Sequence, residues 1–177
     1  MNKEEKTIIE NAIQILDNEL KITELLVEGP AHVKQYLRLK LESQEREVFA
    51  VLFLDNSHKL IKYVELFQGT INEASVYPRE VIKEALLSNS AAMILVHNHP
   101  SGNANASPAD IKITKHISEC ANLFDIRLLD HMIVCKGEVL SFAEKGLLSP
   151  PHSFGGQNGN NTQLYRKFQA RDPRQVW

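Results

Sequence analysis

The stretch Ala91–Phe124, AAMILVHNHPSGNANASPADIKITKHISECANLF, decides the architecture. Ala91 to His97 is an apolar run with the continuity of a strand buried on both faces. Pro100-Ser101-Gly102 ends it, and a loop through Ala106 follows. Ser107-Pro108 then opens a helix whose apolar stripe is predicted from Ile113, Ile117, Ala121 and Phe124. A buried strand that leads through a loop into an amphipathic helix is the repeating step of α/β proteins.

Outward from this unit, residues 4–20 space Ile8, Ile9, Ala12, Ile13, Leu16 and Leu20 as an amphipathic helix. Gly29-Pro30 breaks the chain, and Ala31 to Leu41 is a second helical segment. Val48–Leu54 reads as a buried strand. Asp55-Asn56-Ser57-His58 then turns into a partner strand over Leu60 to Phe67, so the pair forms a hairpin. Pro78 suits the first turn of a helix running to about Ser88, with Val81, Ile82, Ala85 and Leu86 facing inward. Ile126–Leu129, Met132–Cys135 and Val139–Phe142 are predicted as three closing strands. The fold class expected is α/β, a mixed sheet with flanking helices. Three regions are expected: a helix and linker over 1–29, the main domain over 30–148, and a flexible tail over 149–177.

With 177 residues the chain can bury a full core, and its formal charge of −2 supplies no global field for a phosphate backbone. Its apolar runs are too short to span a bilayer, and the charged N-terminus MNKEEKTIIENAIQ lacks a signal-peptide core. Cys120 and Cys135 read as buried free thiols, which points to a reducing, cytoplasmic setting.

The chemistry sits in the opening stretch. Side chains two apart on extended backbone point to the same side, so His97 and His99 can face one ion. Asp110 can supply a third ligand. Ser107 and Asp110 also fit the N-cap and N3 positions of the helix, where both residue types stabilise the exposed amides. The two roles are compatible. Two imidazoles and one carboxylate leave a metal ion a net positive charge and an open position for water. Hydrolysis would also need a proton acceptor, and Glu42, Glu45 and Glu47 are all candidates by position.

The ordered set His97-Asn98-His99-Pro100, Ser107 and Asp110 resembles the JAMM motif H-x-H-P-x6-S-x2-D of MPN (JAB) domains. FQGTINEASV, Pro78-Arg79-Glu80-Val81, HNHPSG, Leu129-Asp130-His131 and Ser141-Phe142-Ala143-Glu144 are similar to the bacterial RadC-like branch. The resemblance covers roughly residues 30–148 and implies a cytidine-deaminase-like mixed-sheet domain. It implies a zinc-dependent hydrolase of peptide or isopeptide bonds, with Zn2+ on His97, His99 and Asp110. Ser107 would steady the oxyanion. EVFAVL matches the family's E-x-F-x-V-L pattern, which makes Glu47 the base and Glu45 the fallback. Asp130 and His131, a turn pair by composition, are outer-shell groups by the same pattern and are not counted in the site.

About thirty residues precede the resembling segment, without the glycine-containing hairpin of the helix-hairpin-helix region in full-length RadC proteins; the chain looks like a short form. The tail YRKFQARDPRQVW interleaves Arg166, Lys167, Arg171 and Arg174 with Tyr165, Phe168 and Trp177, a composition able to hold single-stranded nucleic acid. The expected partner is a peptide or protein substrate. Two other functions compete with this one: a metal-dependent DNA-processing factor and a non-catalytic MPN scaffold.

Overall fold

The computed structural model describes residues 2–22, 30–69 and 76–148. The linker 23–29, Thr70 and the tail from residue 149 with its basic and aromatic residues lie outside them, as do the side chains of Leu16 and Leu20. Along the chain run α1 (Lys3–Ile22), α2 (Pro30–Leu41), β1 (Val48–Leu54), β2 (Leu60–Gln68), α3 (Pro78–Leu87), β3 (Ala92–Asn98), α4 (Pro108–Asn122), β4 (Arg127–Cys135) and β5 (Glu138–Ser141). The strands form one five-stranded sheet in the order β2-β1-β3-β4-β5. Among the described residues only β3 and β4 pair in parallel; every other neighbour is antiparallel. That parallel pair needs a crossover, and α4 provides it.

The sheet is mixed and the class is α/β, as the alternation of apolar runs predicts. β3 is central and buried along its whole length, which explains why its sequence is apolar on both faces. One face packs Phe49, Val51, Met93, Leu95 and Ile133 against Val81 and Ala85 of α3 and Ile113, Ile117 and Ala121 of α4. The other packs Val48, Leu52, Ile94, Val96, Met132 and Val134 against Val33, Tyr36, Leu37 and Leu41 of α2. Helix α1 contributes Ile13, partly buried, to this second core, while Ile8 stays exposed. Cys135 is buried and Cys120 only partly so.

Three expectations need correction. Leu86 does not face inward: it is 51% exposed, one position past the buried Ala85 at the end of α3. Phe124 is also 51% exposed, because α4 ends at Asn122 and the chain turns before the stripe reaches it. The third correction is larger. Two separate strands over Ile126–Leu129 and Met132–Cys135 are predicted, yet β4 is continuous from Arg127 to Cys135. Asp130 and His131, which read as turn residues, are fully buried inside it.

A register shift between Met93 and Ile94 carries β4 past that point, with Leu128 opposite Met93 and Asp130 opposite Ile94. The extra residue, Leu129, changes the alternation of faces. Leu128 packs in the core beneath α3 and α4 and Leu129 in the core beneath α2, while Ile133 and Cys135 lie again under α4. His131 therefore stands on the same face as His97.

Candidate metal centre

The site forms where β3 ends and α4 begins. His97 is the penultimate residue of β3 and His99 follows the strand directly. His99 is held in place by its amide, which donates to the Val134 carbonyl at 2.9 Å. Ser107 caps α4 in extended conformation, with φ −76° and ψ 161°. Its Oγ accepts from the Asp110 amide at 3.1 Å, and its own amide donates to Asp110 Oδ2 at 2.7 Å. This reciprocal capping box fixes the carboxylate and divides its oxygens between two tasks. Oδ2 holds the helix start, and Oδ1 lies 3.2 Å from His97 Nε2.

The three side chains converge. His97 Nε2 and His99 Nε2 are 2.9 Å apart, and His99 Nε2 is 3.7 Å from Asp110 Oδ2. One ligand atom from each residue lies within 4.8 Å of the others. A four-coordinate ion with bonds of about 2 Å spaces its ligand atoms about 3.3 Å apart, a spacing bracketed by these distances.

The surrounding hydrogen bonds decide which nitrogen of each ring faces the centre. Thr114 Oγ1 stands 2.5 Å from the Asp110 carbonyl and 2.5 Å from His131 Nδ1. A carbonyl can only accept, so the threonine proton goes to it, and His131 Nδ1–H donates to the threonine oxygen. Burial pushes the His131 imidazolium pKa well below its ordinary value, with the neighbouring His97 adding to the effect, so the ring is neutral. Its Nε2 is then bare and accepts from His97 Nδ1–H at 2.8 Å. On the other ring, His99 Nδ1 donates to the Asn103 carbonyl at 2.6 Å. Both Nδ1 protons are thereby used, and both Nε2 atoms turn to the centre.

Two nitrogen lone pairs at 2.9 Å repel unless a cation lies between them. The third donor reinforces this. Burial opposes ionisation of Asp110, but the neighbouring His97 and the hydrogen bond from the Ser107 amide outweigh it and hold the carboxyl far below its usual range. His97, His99 and Asp110 can therefore hold a metal ion, and their donor set fits one. Phe49 stacks on His97 with centroids 6.3 Å apart, and Phe142 lies 4.7 Å from the His131 ring. These rings wall the inner side with apolar surface.

A family model for the RadC-like JAB domain matches residues 27–147, more than half of the chain. The chain belongs to the RadC-like JAB domain family. Among relatives, a UPF0758 protein of Cellvibrio japonicus (strain Ueda107) is 52% identical over 143 residues, covering 81% of this chain and 63% of that protein. A UPF0758 protein of Stenotrophomonas maltophilia (strain K279a) is 53% identical over 143 residues, covering 81% of this chain and 61% of its own. A third, from Methylibium petroleiphilum, is 56% identical over 121 residues, 68% of this chain and 54% of the relative. The chain thus spans about three fifths of the length of the first two relatives. These names state no activity.

Of the residues singled out in this RadC-like sequence, His97, His99, Asp110 and Ser107 stand together at the β3–α4 junction. Glu47 is half-buried at the head of β1, where its carbonyl accepts from the Gly69 amide at 2.9 Å. It lies two residues before Phe49, which pairs with His97. Continued by two residues, the β1–β3 register brings Glu47 to the level of His99, and strand alternation assigns it the face of Phe49. Glu45 is exposed in the preceding loop. Glu42 is turned to other tasks, pairing with Arg38 and accepting from the Gly137 amide.

Three residues escape a reading by ligand spacing. Asn98 sits between the histidines, while Thr114 and His131 reach the site from α4 and β4. For Thr114 a signal existed in its place one helical turn after Asp110. His131 carried one in the family phrase Leu129-Asp130-His131, though not in its spacing.

No helix among the described residues is long and apolar enough to cross a membrane.

Proposed function

We propose that this chain is a zinc-dependent hydrolase of the JAMM type that cleaves a peptide or isopeptide bond with an activated water. The observation that carries this reading is the convergence of two Nε2 atoms and one carboxylate oxygen at a single point. Nitrogen and carboxylate donors suit zinc. When bound by three protein ligands, zinc offers an open position, brings the pKa of a water there to about 7 and polarises a carbonyl.

The chain's own residues do the rest. Glu47, at the head of β1, takes the proton from the attacking water and delivers it to the leaving amine. Ser107 Oγ already accepts from the Asp110 amide, so its own proton is available to the oxygen of the attacked carbonyl. Asp110 and the two histidines hold their orientation throughout, because Ser107, His131 and the Asn103 carbonyl occupy their outer atoms. The apolar inner wall excludes water from the rear of the site.

The experiment is peptidase assay of the purified protein against a diverse isopeptide and peptide library, with chelator and zinc add-back. Cleavage that chelation stops, zinc restores and Glu47→Gln abolishes while keeping its metal supports the reading. Cleavage by Glu47→Gln at the wild-type rate sinks the mechanism.

A further inference from the structure

The β1–β3 ladder stops at Phe49 opposite His97, just short of the level of Glu47. Beyond it the chain leaves the sheet through His99 and Pro100, and the His99 amide is already given to Val134 on the opposite side. The Asn98 side chain reaches the segment that carries Glu47. Its Oδ1 accepts from the Val48 amide at 2.7 Å, and its Nδ2 donates to the Arg46 carbonyl at 3.0 Å, with the Gln44 carbonyl more distant at 3.4 Å. The Val48 amide belongs to the peptide bond after Glu47, and the Arg46 carbonyl to the one before it. One buried carboxamide therefore brackets Glu47 on both sides.

We infer that Asn98 is a positioning residue that sets Glu47 over the centre built by its two neighbours, His97 and His99. The inference rests on the reading of Glu47 as the base. The residue type follows from the task. A carboxamide both accepts from an amide and donates to a carbonyl with one short planar group. Aspartate at this position would accept from Val48 but face the Arg46 carbonyl with negative charge. Alanine would leave a buried amide and carbonyl without partners. The metal ligands do not depend on Asn98: His97 is held by His131 and Phe49, and His99 by Asn103 and Val134. A single side chain thus ties the spacing of the ligand pair to the position of the base on another strand.

The test compares Asn98→Ala, Asn98→Asp and Glu47→Gln in the full chain loaded with Co2+, whose visible spectrum reports on the open coordination position as pH changes. Both Asn98 variants should keep a full complement of cobalt. Their pH-dependent spectral transition should move in the direction Glu47→Gln moves it, by at least half as far. In Asn98→Ala the Val48 amide should exchange at least about tenfold faster than in the wild type, the effect of losing one hydrogen bond. Asn98 variants that keep the wild-type transition while Glu47→Gln shifts it overturn the assignment of Asn98 alone. A Glu47→Gln protein with an unmoved transition overturns the role of Glu47, and the inference falls with it. Should Asn98→Ala fail to fold, Asn98→Asp and the wild-type exchange rate still decide: an unprotected Val48 amide in the wild type contradicts the bracket.

Discussion

His131 Nε2 lies 2.8 Å from His97 Nδ1, and both rings are buried. A histidine on β4 thereby fixes the tautomer of a histidine on β3, and Thr114 on α4 fixes the first in turn. Replacing His131 by Phe fills the space between Phe49 and Phe142 but removes the acceptor for His97 Nδ1–H. Metal affinity should fall by roughly 10–100-fold, as for other losses of an outer partner of a ligand histidine. Competition against a chromophoric chelator measures this. Unchanged affinity would mean that His97 needs no partner at Nδ1.

Thr114→Val keeps the shape of the side chain and removes its oxygen. His131 Nδ1–H would then be buried without an acceptor, a loss of about 1–3 kcal/mol. Denaturant unfolding of the metal-free protein should show a loss of stability in this range, whereas a neutral change would contradict the direction assigned to the Thr114–His131 bond.

Ser107 has two tasks that substitution can separate. Glycine is nearly as good a helix N-cap as serine, differing by a few tenths of a kcal/mol, whereas alanine costs about 1 kcal/mol. Ser107→Gly should therefore leave the melting temperature almost unchanged. Turnover should fall by about 10²–10³, the loss typical of one oxyanion donor. Wild-type turnover in Ser107→Gly would confine Ser107 to capping.

Asp130 links stability to pH. Burial raises its pKa from 3.8 to about 6, against hydrogen bonds from Ser141, Ala143 and His131 that favour the ionised form. An acid whose pKa rises on folding binds a proton in the folded chain between the two values and releases it in the unfolded chain. Stability should thus fall as pH climbs from about 4 to about 6, by on the order of 3 kcal/mol, and level off above. Asp130→Asn should flatten this component. Equilibrium unfolding of both proteins at several pH values checks it, and identical pH profiles would contradict it.

Much of the fold was legible because β1 and β3 are apolar runs of strand length and α4 announces its start with Ser107-Pro108. The ligand set was legible for a related reason: His97 and His99 obey strand alternation, and Asp110 sits at a defined position of the capping box. β4 was not. An aspartate and a histidine in mid-run look like a turn, since isolated burial of either is costly. Their burial is made tolerable by groups from elsewhere, the Ser141 hydroxyl and Ala143 amide for Asp130, and Thr114 and His97 for His131. No local pattern reports such partners. The end of α3 was missed on a smaller scale, because Leu86 continues the helical spacing beyond the sheet that would cover it.

The central claim is that His97, His99 and Asp110 together hold one metal ion. Calorimetric titration of the chelator-treated chain with Zn2+ tests it most directly, alongside His97→Ala, His99→Ala and Asp110→Ala. The wild type should bind a single ion per chain, and each substitution should abolish that binding while the fold, read by circular dichroism, persists. Zinc binding of undiminished affinity in folded variants lacking these side chains would contradict the account.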